Sequence, residues 1–204
     1  MKVYIKINEK NQVTAINSEL FIFDTSGWIE IDEGDGDKYA HAQGNYLPKS
    51  LITSDGSYRY KYENDTVVEL TDDEINAEYE SENLNLFKTA KILDSKSKLS
   101  KWLESNPMQF TDGKYYSVTE EKQSLLNSNL ASYERATNNG IEYPLKWNST
   151  GDECVEWSYQ DLLALSLAIA AYVSPKVAIQ QSIEVAINAA TTKGEIDEIE
   201  INYD

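Results

Sequence analysis

Val155-Glu156-Trp157-Ser158-Tyr159-Gln160-Asp161-Leu162-Leu163-Ala164-Leu165 decides how the chain is read. Strand-like residues run into Ser158, whose hydroxyl suits the free N–H groups of a helix start. Asp161, three positions on, completes a capping box. Leu162 to Val173 follows as twelve residues interrupted only by Ser166. A bilayer span needs about 20 apolar residues, so the run predicts a buried core helix and no membrane insertion. A helix that is apolar all round is stable only when covered. Leu162, Leu165, Ile169, Ile183 and Ile187 are therefore expected in a core. Ser174-Pro175 predicts a restart as a second helix, with Pro at its first position, where a missing N–H does no harm.

Upstream, Tyr143-Pro144-Leu145-Lys146-Trp147 and Cys154-Val155-Glu156-Trp157 read as two strands of a hairpin closed by residues 148–153, with Trp147 and Trp157 anchoring a core. Asp112-Gly113 between Gln109-Phe110-Thr111 and Lys114-Tyr115-Tyr116 is a second hairpin signal. Thr119-Glu120-Glu121 opens a helix carrying Leu125, Leu126, Leu130 and Tyr133, and Asn138-Asn139-Gly140 stops it. Downstream, Thr192-Lys193-Gly194-Glu195 caps a short last turn. Residues 106–204 are thus expected to form an α+β domain with two hairpins and a helical bundle, able to fold by itself.

Residues 1–70 carry a different period. Val3, Ile5 and Ile7 alternate with polar residues, Glu9 to Gln12 turns the chain, and Val13 to Ile16 returns. Trp28 to Ile31 repeats the alternation. Asp32-Glu33-Gly34-Asp35-Gly36-Asp37 and His41-Ala42-Gln43-Gly44-Asn45-Tyr46 have loop composition. Tyr58-Arg59-Tyr60-Lys61-Tyr62 is a strand, and Glu63-Asn64-Asp65 turns it into Val67 to Leu70. Side chains two apart share a strand face, so Tyr58, Tyr60 and Tyr62 stand together, and three adjacent tyrosines suit a docking surface. The other reading puts them in the domain's own core. Thr71-Asp72-Asp73-Glu74 is a capping box, and residues 71–105 read as a helical connector, with a stripe through Ile75, Tyr79, Leu86, Ala90 and Leu93 and a polar hinge near Asp94 to Lys101. The fold class is α+β: a small β-rich domain, a connector, and the α+β domain.

Composition narrows the chemistry. The 204 residues hold 35 acids against 18 bases, a net charge of −17. That field repels nucleic acid, which is bound through clustered Lys and Arg. Cys154 is the only cysteine and His41 the only histidine, which excludes an internal disulfide, a cysteine zinc site and a multi-histidine metal centre. Cys154 is expected buried in a strand. The acidic run at Asp32 to Asp37 fails as a calcium loop: its twelfth residue, where a bidentate Glu is required, is Gln43 counted from Asp32 and Tyr46 counted from Asp35. No nucleophile elbow, phosphate loop or dinucleotide fingerprint is present. No catalytic residue, cofactor or metal ligand is expected, and the chain does not read as an enzyme. The N-terminus alternates and carries no signal-peptide core.

The stretch from Pro107 to Ile199 resembles a domain of unknown function common in tail-fibre and tail-accessory proteins of phages and prophages. The residues that carry it are Leu145-Lys146-Trp147, Val155-Glu156-Trp157-Ser158, Asp161-Leu162-Leu163-Ala164-Leu165, Ala168-Ile169, Ile187-Asn188-Ala189-Ala190-Thr191-Thr192 and Glu195-Ile196-Asp197-Glu198-Ile199. Trp157-Ser158-Tyr159 departs from the family's Thr-rich approach to Asp-Leu-Leu. Gly27-Trp28-Ile29-Glu30-Ile31-Asp32-Glu33-Gly34, with His41 to Tyr46, looks like the opening of small proteins in phage tail modules of low-GC Gram-positive bacteria. The resemblance implies a non-enzymatic component of a tail, baseplate or fibre. It would be made in the host bacterial cytoplasm, carried in the virion tail and bound to other tail proteins, with copies of itself in the assembly. The alternative is a tail-fibre assembly chaperone.

Overall fold

In the computed structural model, which describes residues 1–204, the N-terminal alternation forms a three-stranded sheet ordered β2-β1-β3. β1 (Lys2–Ile7) is central, flanked antiparallel by β2 (Val13–Ser18) and β3 (Ile29–Glu33). Val3, Ile5 and Val13 are fully buried because alternate side chains of each strand point to one face. Two short helices, α1 (Asp37–Ala40) and α2 (Ala42–Asn45), occupy the stretch expected to be loop. The correction has a local cause: Asp37 Oδ1 is 3.0 Å from His41 Nδ1, and its Oδ2 accepts from Asn45 Nδ2 at 2.5 Å. β4 (Tyr60–Glu63) and β5 (Thr66–Glu69) form a hairpin whose two-residue loop, Asn64 and Asp65, has φ of 51° and 60°. That is the type I′ geometry Asn and Asp tolerate.

The expected connector is not a separate element. The chain divides into units Met1–Asn83 and Leu84–Asp204, and the break falls inside it. α3 (Asp72–Glu82), opened by the Thr71–Glu74 capping box, belongs to the first unit. It buries Ile75, while Lys10 Nζ contacts Glu78 at 2.9 Å and Glu82 at 2.7 Å. α4 (Leu84–Ser105) belongs to the second and runs unbroken through the expected hinge, burying Ser95, Leu99 and Leu103. Those residues, four apart, define its inner face. Leu86 and Leu93, placed on the sequence stripe, are each 62% exposed.

The second unit follows the sequence closely. β6 (Met108–Gln109) and β7 (Tyr115–Tyr116) pair across Asp112-Gly113, with Gly113 at φ 80°. α5 (Glu120–Asn138) is capped by Thr119, and Gly140 beyond it has φ 68°. β8 (Lys146–Trp147) pairs with β9 (Val155–Glu156), and Trp147 and Trp157 pack on the core. The Ser158 hydroxyl then caps α6 (Tyr159–Ala189). α6 is one helix, not two. Pro175 lies inside it on the exposed side. Lacking an N–H, Pro175 forfeits one backbone bond, while Val173 and Ile183 on either side of it are both buried, so packing carries the helix through. α7 (Lys193–Glu198) is capped by Thr192. Leu162, Leu165, Ile169, Ile183 and Ile187 are buried, together with Leu99, Leu103, Leu126 and Leu130. The class is α+β.

Candidate docking surface

β2 and β3 both run antiparallel to β1, so they are parallel to each other. The chain leaving β2 at Ser18 must therefore travel back along β1 before entering β3 at Ile29. This crossover is turned firmly at both ends. Ser18 Oγ accepts from Leu20 N at 3.4 Å, starting a short 3₁₀ turn over Glu19–Phe21. At the far end Asp24 Oδ1 accepts from Ser26 N at 2.9 Å, Thr25 O accepts from Trp28 N at 3.0 Å, and Lys6 Nζ sits 4.8 Å over the Trp28 ring. The backbone and hydroxyl of Ser26 hold the Asp24 carboxyl below the usual carboxylate range.

Between these turns Ile22 is half-buried, whereas Leu20, Phe21 and Phe23 face water. Leu20 is 59% exposed, Phe21 55% and Phe23 109%. Phe21 has one ring neighbour, His41, with centroids 6.0 Å apart. Isolated apolar residues on a surface mean little, but a contiguous apolar patch marks an interaction site. Burying one such Phe against a partner is worth about 1.5–3 kcal/mol. The signal was present in the sequence as Leu20-Phe21-Ile22-Phe23, an unalternating apolar run between two strands. The strand-period reading passed over it.

The tyrosines expected to dock are placed otherwise. Tyr60 is 2% exposed within the first unit's own core, and its hydroxyl accepts from Lys49 N at 3.0 Å and donates to Lys49 O at 3.2 Å. A buried phenol needs such a partner, and Tyr60 has nothing left to offer another protein. Tyr62 is half-buried against the same core and donates to Asp65 Oδ1 at 3.3 Å; burial, more than Asp65, raises its phenol pKa. Tyr58 precedes β4 and lines a cavity of about 300 Å³ with Asn8, Gln12, Ile75 and Glu78. The Tyr face is thus chiefly core. Its intervening cations are tied down as well: Arg59 Nε donates to Ser50 O at 3.1 Å, and Lys61 pairs with Glu63 and Glu74.

The acidic passage also has a structural task. Asp32 Oδ2 accepts from Tyr46 at 2.8 Å and Tyr39 at 3.1 Å. The Tyr46 hydroxyl, helped by Glu33 N–H and Tyr39, holds the Asp32 carboxyl below its usual range, and burial together with Asp32 pushes the Tyr46 phenol up. Gly34 lets the Tyr39 ring lie against the backbone, since a Cβ there would sit 2.4 Å from the ring. Cys154, expected buried in a strand, is exposed in the loop before β9, its Sγ 3.6 Å from Asn148 Oδ1. The short 148–154 segment offers it no core to enter. No known family, curated protein or solved structure matches the chain.

Proposed function

We propose that the chain is a non-enzymatic structural component of a phage or phage-tail-like particle, associated with baseplate or fibre, and that its first unit docks on another tail protein through Leu20, Phe21 and Phe23. The tail assignment is supported by the resemblance carried by residues 107–199 and 27–46. The docking role is supported by one observation above the rest: a fully exposed Phe23 flanked by Leu20 and Phe21, held outward between two hydrogen-bonded turns. Exposed aromatic side chains dock at low entropic cost because few rotamers are lost. A charge of −17 keeps the chain off nucleic acid and favours protein partners with basic or neutral faces.

The test is mass spectrometry of purified particles. Wild-type chain is expected among the structural proteins, while a folded Phe21→Ser/Phe23→Ser variant is expected in the cell lysate but missing from particles. Wild-type chain abundant in lysate and absent from particles would overturn the structural reading in favour of an assembly chaperone.

A further inference from the structure

α7 is followed by a segment with no helix and no strand, Ile199-Glu200-Ile201-Asn202-Tyr203-Asp204. Ile199, Ile201 and Tyr203 turn inward onto the second unit's core, while Glu200, Asn202 and Asp204 are exposed. The alternation is that of an extended chain, but the hydrogen bonds of a strand are missing. Ile199 N donates to Ile196 O at 3.3 Å, and beyond it no main-chain group of the segment bonds to another main-chain group. Side chains alone hold it in place.

Tyr203 supplies most of that hold. It is 4% exposed and joins two helices: its hydroxyl donates to Ser95 O of α4 at 3.0 Å, and its carbonyl accepts from Lys176 Nζ of α6. Lys176 is steadied in turn by the Trp102 ring, 4.6 Å away. The ground beneath is polar. Ser95 and Gln180 are both buried, and Gln180 Nε2 donates to Ser95 Oγ at 3.4 Å and to Glu184 Oε2 at 3.0 Å. Groups of this kind regain hydrogen bonds from water when uncovered, so lifting the segment costs less here than from an apolar floor. On its outer side Glu200 and Asp204 add to a chain of net charge −17, and like charge pushes the segment outward.

An untied terminus frays residue by residue. A segment whose hold is gathered at Tyr203 is instead engaged or free as a piece. We propose that residues 199–204 are a releasable strap, latched by Tyr203 across α4 and α6, that opens while both helices stay folded. Local openings of this kind draw on the least stable parts of a fold, those with few buried contacts and few protected main-chain bonds. The inference does not depend on the assignment to a phage particle.

Carboxypeptidase digestion of the full chain in native buffer, followed by intact mass, tests it. Asp204 is expected to go first, and loss of Tyr203 is the step that reports release, with the helical spectrum unchanged. Tyr203→Phe keeps the ring and removes the bond to Ser95 O, and is expected to speed loss of residue 203 about two- to tenfold. Lys176→Met, which removes the bond to Tyr203 O, is expected to act in the same direction. Unfolded chains digested in parallel correct for the enzyme's own preferences. Leu165→Ala weakens the core about 16 Å along α6 from Lys176, and is expected to leave the rate unchanged. Tyr203 kept, or lost only in step with the instability of Leu165→Ala, would place release in global unfolding and overturn the proposal. Loss no faster in Tyr203→Phe than in wild type would remove the latch and overturn it too.

Discussion

The first unit buries six residues in its core, Val3, Ile5, Val13, Ile16, Ala42 and Tyr60, whereas the second buries fifteen, from Leu99 to Tyr203. The smaller core is supplemented by polar pins: Tyr60 on Lys49, Tyr39 and Tyr46 on Asp32, and Lys10 on Glu78 and Glu82. The larger rests on apolar burial around one helix. Burial scales with size, so a small domain finds less of its stability in apolar contact. The lesson is that the same class of fold is held by two different balances, and single changes act on them differently.

The largest expected effect comes from cutting the second unit at the wrong place. Residues 106–204 lack α4, hence Leu99, Trp102 and Leu103, and are expected to give a circular dichroism spectrum with no cooperative melt. Residues 84–204 are expected to fold. A cooperative melt for residues 106–204 would show that α4 is dispensable to that core.

Within the second unit, Leu165→Ala removes a fully buried side chain from α6 and is expected to cost about 2–5 kcal/mol in urea unfolding. The position was legible from its spacing in the apolar run. Other features were legible for the same reason, that the signal was local: the Asp112-Gly113 hairpin, the Thr71 and Ser158 caps, and the Asn64-Asp65 turn. What was not legible needed tertiary context. Period two puts Tyr58, Tyr60 and Tyr62 on one face without saying whether that face meets core or water. Pro175 announces a helix start only if packing on either side is too weak to carry one helix through. The break at Asn83 was invisible because a polar stretch without Pro or Gly reads as helix whether it docks on one unit or the other. The docking loop was passed over because four consecutive apolar residues match neither period.

In the first unit the sensitive point is Asp32. Asp32→Asn keeps the shape but replaces a charged acceptor of two tyrosine hydroxyls, and is expected to cost about 1–3 kcal/mol. The sign of the pH dependence follows. A carboxyl lowered in the folded state contributes stability above its unfolded value, near 4, and loses it as pH falls through the folded value. Acid unfolding of this unit is therefore expected to flatten in the Asn variant. An unchanged acid transition would remove Asp32 from the account. Gly34→Ala, which drives a Cβ into the Tyr39 ring, is expected to cost about 1–3 kcal/mol by displacing that ring from Asp32.

The smallest effect belongs to Lys10→Ala. Its pairs with Glu78 and Glu82 are half-exposed, so about 0–1 kcal/mol is expected, fading with salt. A larger loss would mean that α3 is held to its sheet by charge more than by Ile75.

The docking claim concerns one loop of the first unit and is met most directly by competition. Wild-type chain and Phe23→Ser chain are co-expressed in the producing cell, and their ratio in purified particles is measured by mass spectrometry against their ratio in the lysate. Because Phe23 touches water in the free chain, both forms are expected to fold alike, and particles are expected to hold wild-type chain in about tenfold excess or more. Equal incorporation of the two forms would contradict the account.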